Sequence, residues 1–154
     1  MASFDQEKFT DKCSKVVRDS INLAQESGHV RFTPLHLAAV LLKDEDAFMK
    51  SILAQSGADT NKAFEGIESA LGKLSVQQPM TETPTASPQI IKVLNGAESR
   101  RKSWGDSYVA VDHLISAMME DKEIQKLLSE SGATEKNVDE AIKRLRRGKK
   151  INSK

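Results

Sequence analysis

A single cysteine, Cys13, stands in 154 residues, so no intramolecular disulfide can form. That fits a reducing compartment. No apolar run is long enough to cross a bilayer. The opening stretch MASFDQEKFTDK has no apolar signal core and carries acids early. It does not read as a secretory or mitochondrial targeting segment, and a cytoplasmic location is the expectation. Charge of one sign is missing too: 23 basic and 22 acidic residues give a net charge of +1. Coating nucleic acid or anionic membrane needs a strong positive field, which this balance denies, although a local basic patch stays compatible with it. No alternating strand pattern occurs. What remains, 38% hydrophobic and 29% charged, suits a soluble globular chain of one domain or two very small ones.

The sequence repeats itself. ILAQSGADTNKAFEGI, from Ile52 to Ile67, returns as LLSESGATEKNVDEAI from Leu127 to Ile142. At an offset of 77, Lys15-Val16 falls on Lys92-Val93, Gly28 on Gly105, His36-Leu37 on His113-Leu114, and Asp44 on Asp121. A two-residue deletion then changes the offset to 75, which matches Ser56-Gly57-Ala58 with Ser131-Gly132-Ala133 and Ile67 with Ile142. Identities are few. Their placement carries the argument, because glycines match glycines and apolar positions mostly match apolar positions.

Each copy reads as four short helices. The first spans roughly Thr10 to Ser27, with Phe9, Cys13, Val16, Val17, Ile21 and Ala24 at helical spacing. Gly28 sits where a left-handed stop is wanted. Thr33-Pro34, an N-cap followed by proline, opens LHLAAVLL. A third helix carries Phe48, Met49, Ile52 and Leu53 and stops at Gly57. Asp59 or Thr60 caps a fourth, with Ala63, Ile67, Ala70, Leu71 and Leu74 on one stripe. In the second copy, Ser87-Pro88 opens a helix ending at Gly105, HLISAMM is the next, and Gly132 ends the third. Thr134 caps the last, which holds Val138, Ala141, Ile142 and Leu145 inside. SVQQPMTETPTAS between the copies has a linker's composition. The expectation is one all-α domain over residues 1–148. It is a pseudo-twofold duplication of a four-helix repeat, about eight helices in all. The first repeat covers about 8–74, the linker 75–87 and the second repeat 88–147, with a loose polar tail at 149–154.

PLHL in the first copy and DHL in the second, with EKFTDK, GHVRFTPLHLAAVLL, IIKVL, GDSYVAVDHLISAMMED and AIKRLRRG, resemble the amino-terminal domain of the Clp family of ring-forming ATPases. The resemblance covers Lys8 to about Gly148. It is closest to the ClpB type, the heat-shock disaggregases, and to their plant and other eukaryotic cytosolic members. It implies a parent protein with two ATPase modules that bind ATP and magnesium and assemble a hexameric ring. This chain has no G-x-x-x-x-G-K-[ST] loop, so no cofactor and no enzymatic activity are expected of it. The implied role is to engage unfolded or aggregated polypeptide for the ring. An adaptor or a cooperating chaperone is a further expected partner. The isolated domain is expected to be a monomer.

The resemblance also implies site residues: Thr10 in KFTDK, and Asp106 and Asp112 in GDSYVAVDH, where Asp112 is shorter than the glutamate usual in bacterial members. Leu94 and Tyr108 are the candidates for the lining of an apolar groove, with Ile91 a lesser one. Such a groove binds many chains, since burial is non-directional and worth about 25 cal/mol per Å². Acids at its rim favour basic segments. Each residue has a plainer reading. Thr10 is an N-cap, Asp106 a turn residue, Asp112 a cap of the HLISAMM helix, and Leu94 core. The remaining candidates read mainly as structure. His36 and His113 pack at helix starts, since no further ligand completes a metal set. His29 is an exposed turn residue, and Cys13 is core. Met118-Met119 are core or an adaptable binding surface.

Arg100, Arg101 and Lys102 complement a helix dipole. Arg144, Arg146, Arg147, Lys149 and Lys150 form a second basic cluster at the end of the chain. Two alternatives to the disaggregase reading stand: the same domain on a protease-associated unfoldase that binds adaptors, and a helical nucleic-acid-binding module that uses the basic end.

Overall fold

The structure, a computed structural model, describes residues 6–154. After a 3-10 turn at Gln6–Lys8, four helices follow: α1 (Asp11–Glu26), α2 (Pro34–Lys43), α3 (Phe48–Gln55) and α4 (Thr60–Gly72). The linker leads to α5 (Pro88–Trp104), α6 (Val111–Met118), α7 (Lys122–Glu130) and α8 (Glu135–Arg146). Two two-residue strands, β1 (Arg31–Phe32) and β2 (Thr85–Ala86), pair in parallel. They are too short to leave an alternating pattern, so the all-α reading holds.

Caps set the helix starts. The Oγ1 of Thr10 accepts from the Cys13 N–H at 3.1 Å, and the Oγ of Ser87 accepts from the Ile90 N–H at 3.1 Å. Asp59, rather than Thr60, caps α4. Thr33 caps α2 with Pro34 behind it, and Asp121 and Thr134 cap α7 and α8. Phe9 lies just before α1, where it pairs with Val109 in an isolated parallel bridge.

That bridge reveals the duplication. Adding 77 to Phe9 gives Ala86, and adding 77 to Phe32 gives Val109. The two ladders, Phe9 with Val109 and Phe32 with Ala86, are therefore one pairing repeated about a pseudo-twofold axis. Helices obey the same exchange. α1 packs on α2 as α5 packs on α6, and α3 packs on α8 as α7 packs on α4. One apolar core runs through both copies, with Leu37, Leu41, Ile52, Ile67, Leu114, Ile115, Leu128 and Ile142 all buried.

Two expectations about burial change. Leu145, expected inside, is 37% exposed. It falls in the last turn of α8, beyond the part of that helix that faces the core through Val138, Ala141 and Ile142. His29, expected to be an exposed turn residue, is 6% exposed. It is drawn in by a hydrogen bond to His36. Met118 and Met119 are both fully buried, so they are core and present no binding surface.

The segment expected as a loose tail lies against the domain. Ser107 N–H donates to the Ile151 carbonyl at 2.7 Å, and Asp11 N–H donates to the Lys154 carbonyl at 2.9 Å.

Candidate functional site

The site implied by the family resemblance centres on the turn between α5 and α6, beside the start of α1. Gly105, at φ +76, ends α5 in the left-handed region and turns the chain into Asp106. Asp106 is 4% exposed and Asp112 is 3% exposed. Neither stands free at a rim. Between them lies Arg146, from the end of α8. Its Nη1 is 2.8 Å from the Oδ2 of Asp106, and its Nε donates to the Oδ2 of Asp112. The guanidinium also sits over the Trp104 ring, 5.1 Å from its centroid, in cation–π geometry.

His113 completes the cluster. Ala110 N–H donates to its Nδ1 at 2.8 Å. In the neutral ring the proton therefore resides on Nε2, which donates to the Oδ2 of Asp106 at 2.6 Å. Burial holds the His113 pKa below its ordinary value, although Asp112 and Asp106 pull it back up. Burial alone would raise Asp106. Hydrogen bonds from the Ile151 N–H, His113 and Arg146 outweigh it and keep the carboxyl below the usual carboxylate range. Arg146 is raised, because the two carboxylates outweigh its desolvation.

One atom is left over. Oδ1 of Asp112 is buried and has no hydrogen-bond partner, with His113 Nδ1 3.9 Å away. An unmet carboxylate acceptor is costly to bury and is satisfied by any donor that reaches it. Asp112 is not the cap of α6. Ala110 holds that position, and the cap contact comes from His113.

Thr10 joins this site through the backbone, its N–H donating to the Val109 carbonyl at 2.9 Å. Its side chain performs the capping role described above. Tyr108 is half-buried on the intervening segment. Leu94 is 5% exposed on the core side of α5, and Ile91 is half-buried against the core. The structure thus gathers Thr10, Asp106, Tyr108 and Asp112 and leaves Leu94 in the interior. A cleft of about 770 Å³ lies elsewhere. It runs between Thr33–Leu35, one face of α5 and Glu120–Glu123, and none of those five residues lines it.

Sequence reading missed Arg146 and Trp104 as members of this cluster. Nothing in the sequence sets Arg146 apart from the surface charge of its basic neighbours. Three other arginines of the basic clusters also bond within the domain. The Nε of Arg100 donates to Ser116 Oγ at 2.7 Å, and the Nη1 of Arg101 donates to the Asp106 carbonyl at 3.0 Å. Arg144 Nη2 donates to the Gln55 carbonyl at 3.0 Å. Cys13 is fully buried, and burial, aided by the charge of Asp112, pushes its thiol pKa up. A buried thiol of that kind is inert. Among the described residues no group of three or more His, Cys, Asp or Glu could hold a metal ion. No described helix is long and apolar enough to cross a membrane.

Known proteins give this geometry a context. The Clp repeat (R) N-terminal domain matches residues 8–131. Heat shock protein 104 of Schizosaccharomyces pombe is 37% identical over 95% of the chain. The chaperone protein ClpB of Rhodopseudomonas palustris is 30% identical over 96% of it. In both cases the chain spans only 17% of the relative's length. The N-terminal domain of Hsp104 from Candida albicans superimposes with a TM-score of 0.87 at 25% identity, covering 95% of this chain and 96% of that one. With its doubled helical repeat and this match over most of its length, the chain belongs to the Clp repeat N-terminal domain family, among the N-domains of Hsp104 and ClpB chaperones.

Proposed function

We propose that this domain engages unfolded or aggregated polypeptide for an ATP-driven disaggregase, and that the face formed by Thr10, Asp106, Tyr108 and Asp112 makes the contact. The observation that carries the reading is the unmet Oδ1 of Asp112. It lies in a cluster where every other charged group is paired, and, being buried, it becomes an acceptor for an incoming N–H when its surroundings open. Tyr108 supplies a half-exposed aromatic surface beside it. Leu94 contributes only where α5 shifts, since it is packed in the core. ATP and magnesium binding and ring assembly belong to the rest of a longer parent, and an adaptor or a cooperating chaperone is a further partner of this domain. We place that parent in the cytoplasm and expect the isolated domain to be monomeric.

The test is an amide NMR titration with a reduced, alkylated protein that cannot refold. A folded protein and a short DNA duplex serve as controls. Shifts at Thr10, Asp106, Tyr108 and Asp112 with the unfolded chain alone are expected. Shifts confined to Arg144 through Lys150, produced by DNA with steep salt dependence, would replace this reading with nucleic-acid binding.

A further inference from the structure

The α5–α6 turn already holds a piece of extended chain. Ser107 N–H donates to the Ile151 carbonyl at 2.7 Å, and Ile151 N–H donates to the Oδ1 of Asp106 at 2.9 Å. Both main-chain polar groups of one residue are thereby satisfied. Ser107 Oγ reaches the Oδ1 of Asn152 at 3.4 Å. Farther along, Asp11 N–H donates to the Lys154 carbonyl at 2.9 Å. Lys150 anchors the segment from the other side, its Nζ donating to the Trp104 carbonyl at 2.6 Å, one of the orphan acceptors at the end of α5. Residues 150–154 therefore run from the end of α5 to the start of α1, across the segments that carry Asp106, Tyr108 and Thr10.

These are the bonds by which an extended peptide adds to an exposed edge. The contacts are mostly to main chain, so they are tolerant of sequence. The hold is weak in apolar terms, because only Ile151 is half-buried while Lys150, Asn152, Ser153 and Lys154 are exposed. Segments with few buried contacts and exposed hydrogen bonds open at low cost. A tethered segment nevertheless competes at an effective concentration on the order of millimolar, enough to mask a weak external ligand.

We propose that residues 150–154 are a resident competitor: they occupy the edge that an incoming unfolded polypeptide uses, and binding requires their release. This rests on the reading of the Thr10, Asp106 and Asp112 face as a polypeptide site. It adds that the site regulates itself by way of its own chain.

Two variants release the segment and leave every residue of that face in place. Ile151→Pro removes the N–H that Asp106 accepts, and Lys150→Ala removes the anchor on Trp104. In each, the amides of Asn152 and Ser153 should move to random-coil shifts while the helical signal is unchanged. Affinity for the reduced, alkylated protein should rise three- to tenfold. In the unaltered domain, saturation with that protein should itself drive the Ser153 amide to its random-coil position. Equal or weaker binding by variants whose segment is demonstrably free would overturn the competitor and leave the polypeptide site standing. Failure of any form of the domain to bind would overturn the site itself.

Discussion

His29 and Asp106 occupy equivalent positions in the two copies, 77 residues apart, and each faces the Nε2 of an equivalent histidine. His29 Nδ1 is 2.9 Å from His36, and Asp106 Oδ2 is 2.6 Å from His113. The exchange extends outward. Asp112 corresponds to Leu35 at the same offset, and Arg146 corresponds to Leu71 at the offset of 75. Both leucines are buried. One inherited arrangement has become an uncharged histidine pair in the first copy. In the second it has become a paired charge cluster with one open acceptor, and only that copy carries the candidate site.

The uncharged version makes the domain sensitive to acid. Thr33 N–H donates to the Nδ1 of His36 at 3.0 Å, so protonation there would set two hydrogens against each other. Burial and the neighbouring His29 lower the His36 pKa to about 4. The unfolded chain takes up this proton below about 6.5, and the folded one only near 4. Stability is therefore complete above pH 6.5 and is lost as pH falls towards 4, by up to about 3 kcal/mol. Urea unfolding across that range should show the slope. His36→Gln keeps an acceptor for the Thr33 N–H and should flatten it. A slope unchanged in the variant would assign the effect to another group.

The charged version predicts a different failure. Arg146→Met strands two buried carboxylates and should cost about 3–5 kcal/mol near neutral pH. The loss should shrink on acidification, as Asp106 protonates and no longer needs the guanidinium. Arg146→Lys should rescue little, because a single ammonium cannot reproduce a fork that binds both acids and stacks on Trp104. Denaturant midpoints at neutral and acidic pH check this, and a cost independent of pH would mean the cluster is not electrostatic.

The structure separates the two groove candidates, Leu94 in the core and Tyr108 half-buried at the turn. Leu94→Ala should remove about 2–5 kcal/mol of stability, as a buried leucine does when truncated. Tyr108→Ala, at a half-buried site, should cost stability less and weaken polypeptide binding more. Thermal unfolding set beside the NMR titration measures both. Loss of binding by Leu94→Ala with full stability would show that α5 opens its inner face to the ligand.

The order of the helices and their caps was legible because proline, glycine and capping side chains mark ends locally. Thr33-Pro34, Ser87-Pro88 and the glycines at 28, 57, 105 and 132 needed no tertiary information. The duplication was legible for the same reason. The cluster was not. Arg146 is one of six basic residues between Lys143 and Lys150, and nothing local distinguishes the one that turns inward. Its partners lie 34 and 40 positions away in sequence. At 149–154 composition reports polarity but is silent about the main-chain hydrogen bonds of Ile151 and Lys154. Family resemblance pointed to Asp106 and Asp112 but gave no sign that both would be buried.

Gly57 and Gly132 meet where the two copies touch, and they should not be equally replaceable. Both end their helices at positive φ, +84 and +107, outside the range most side chains tolerate. A Cβ on Gly57 would meet nothing within 4 Å, whereas one on Gly132 would lie 3.3 Å from the Gly57 carbonyl oxygen and 3.4 Å from the Cα of Ala58. That backbone is fixed, because Asp59 N–H donates to the Ser131 carbonyl at 2.8 Å across the same junction. Gly57→Ala should therefore cost about 1–2 kcal/mol, the backbone term alone. Gly132→Ala should cost more, since it also pushes the copies apart at their pseudo-twofold contact. Urea midpoints for the two variants decide it. An equal loss would mean that the junction yields freely and that the copies are held together by their helix faces alone.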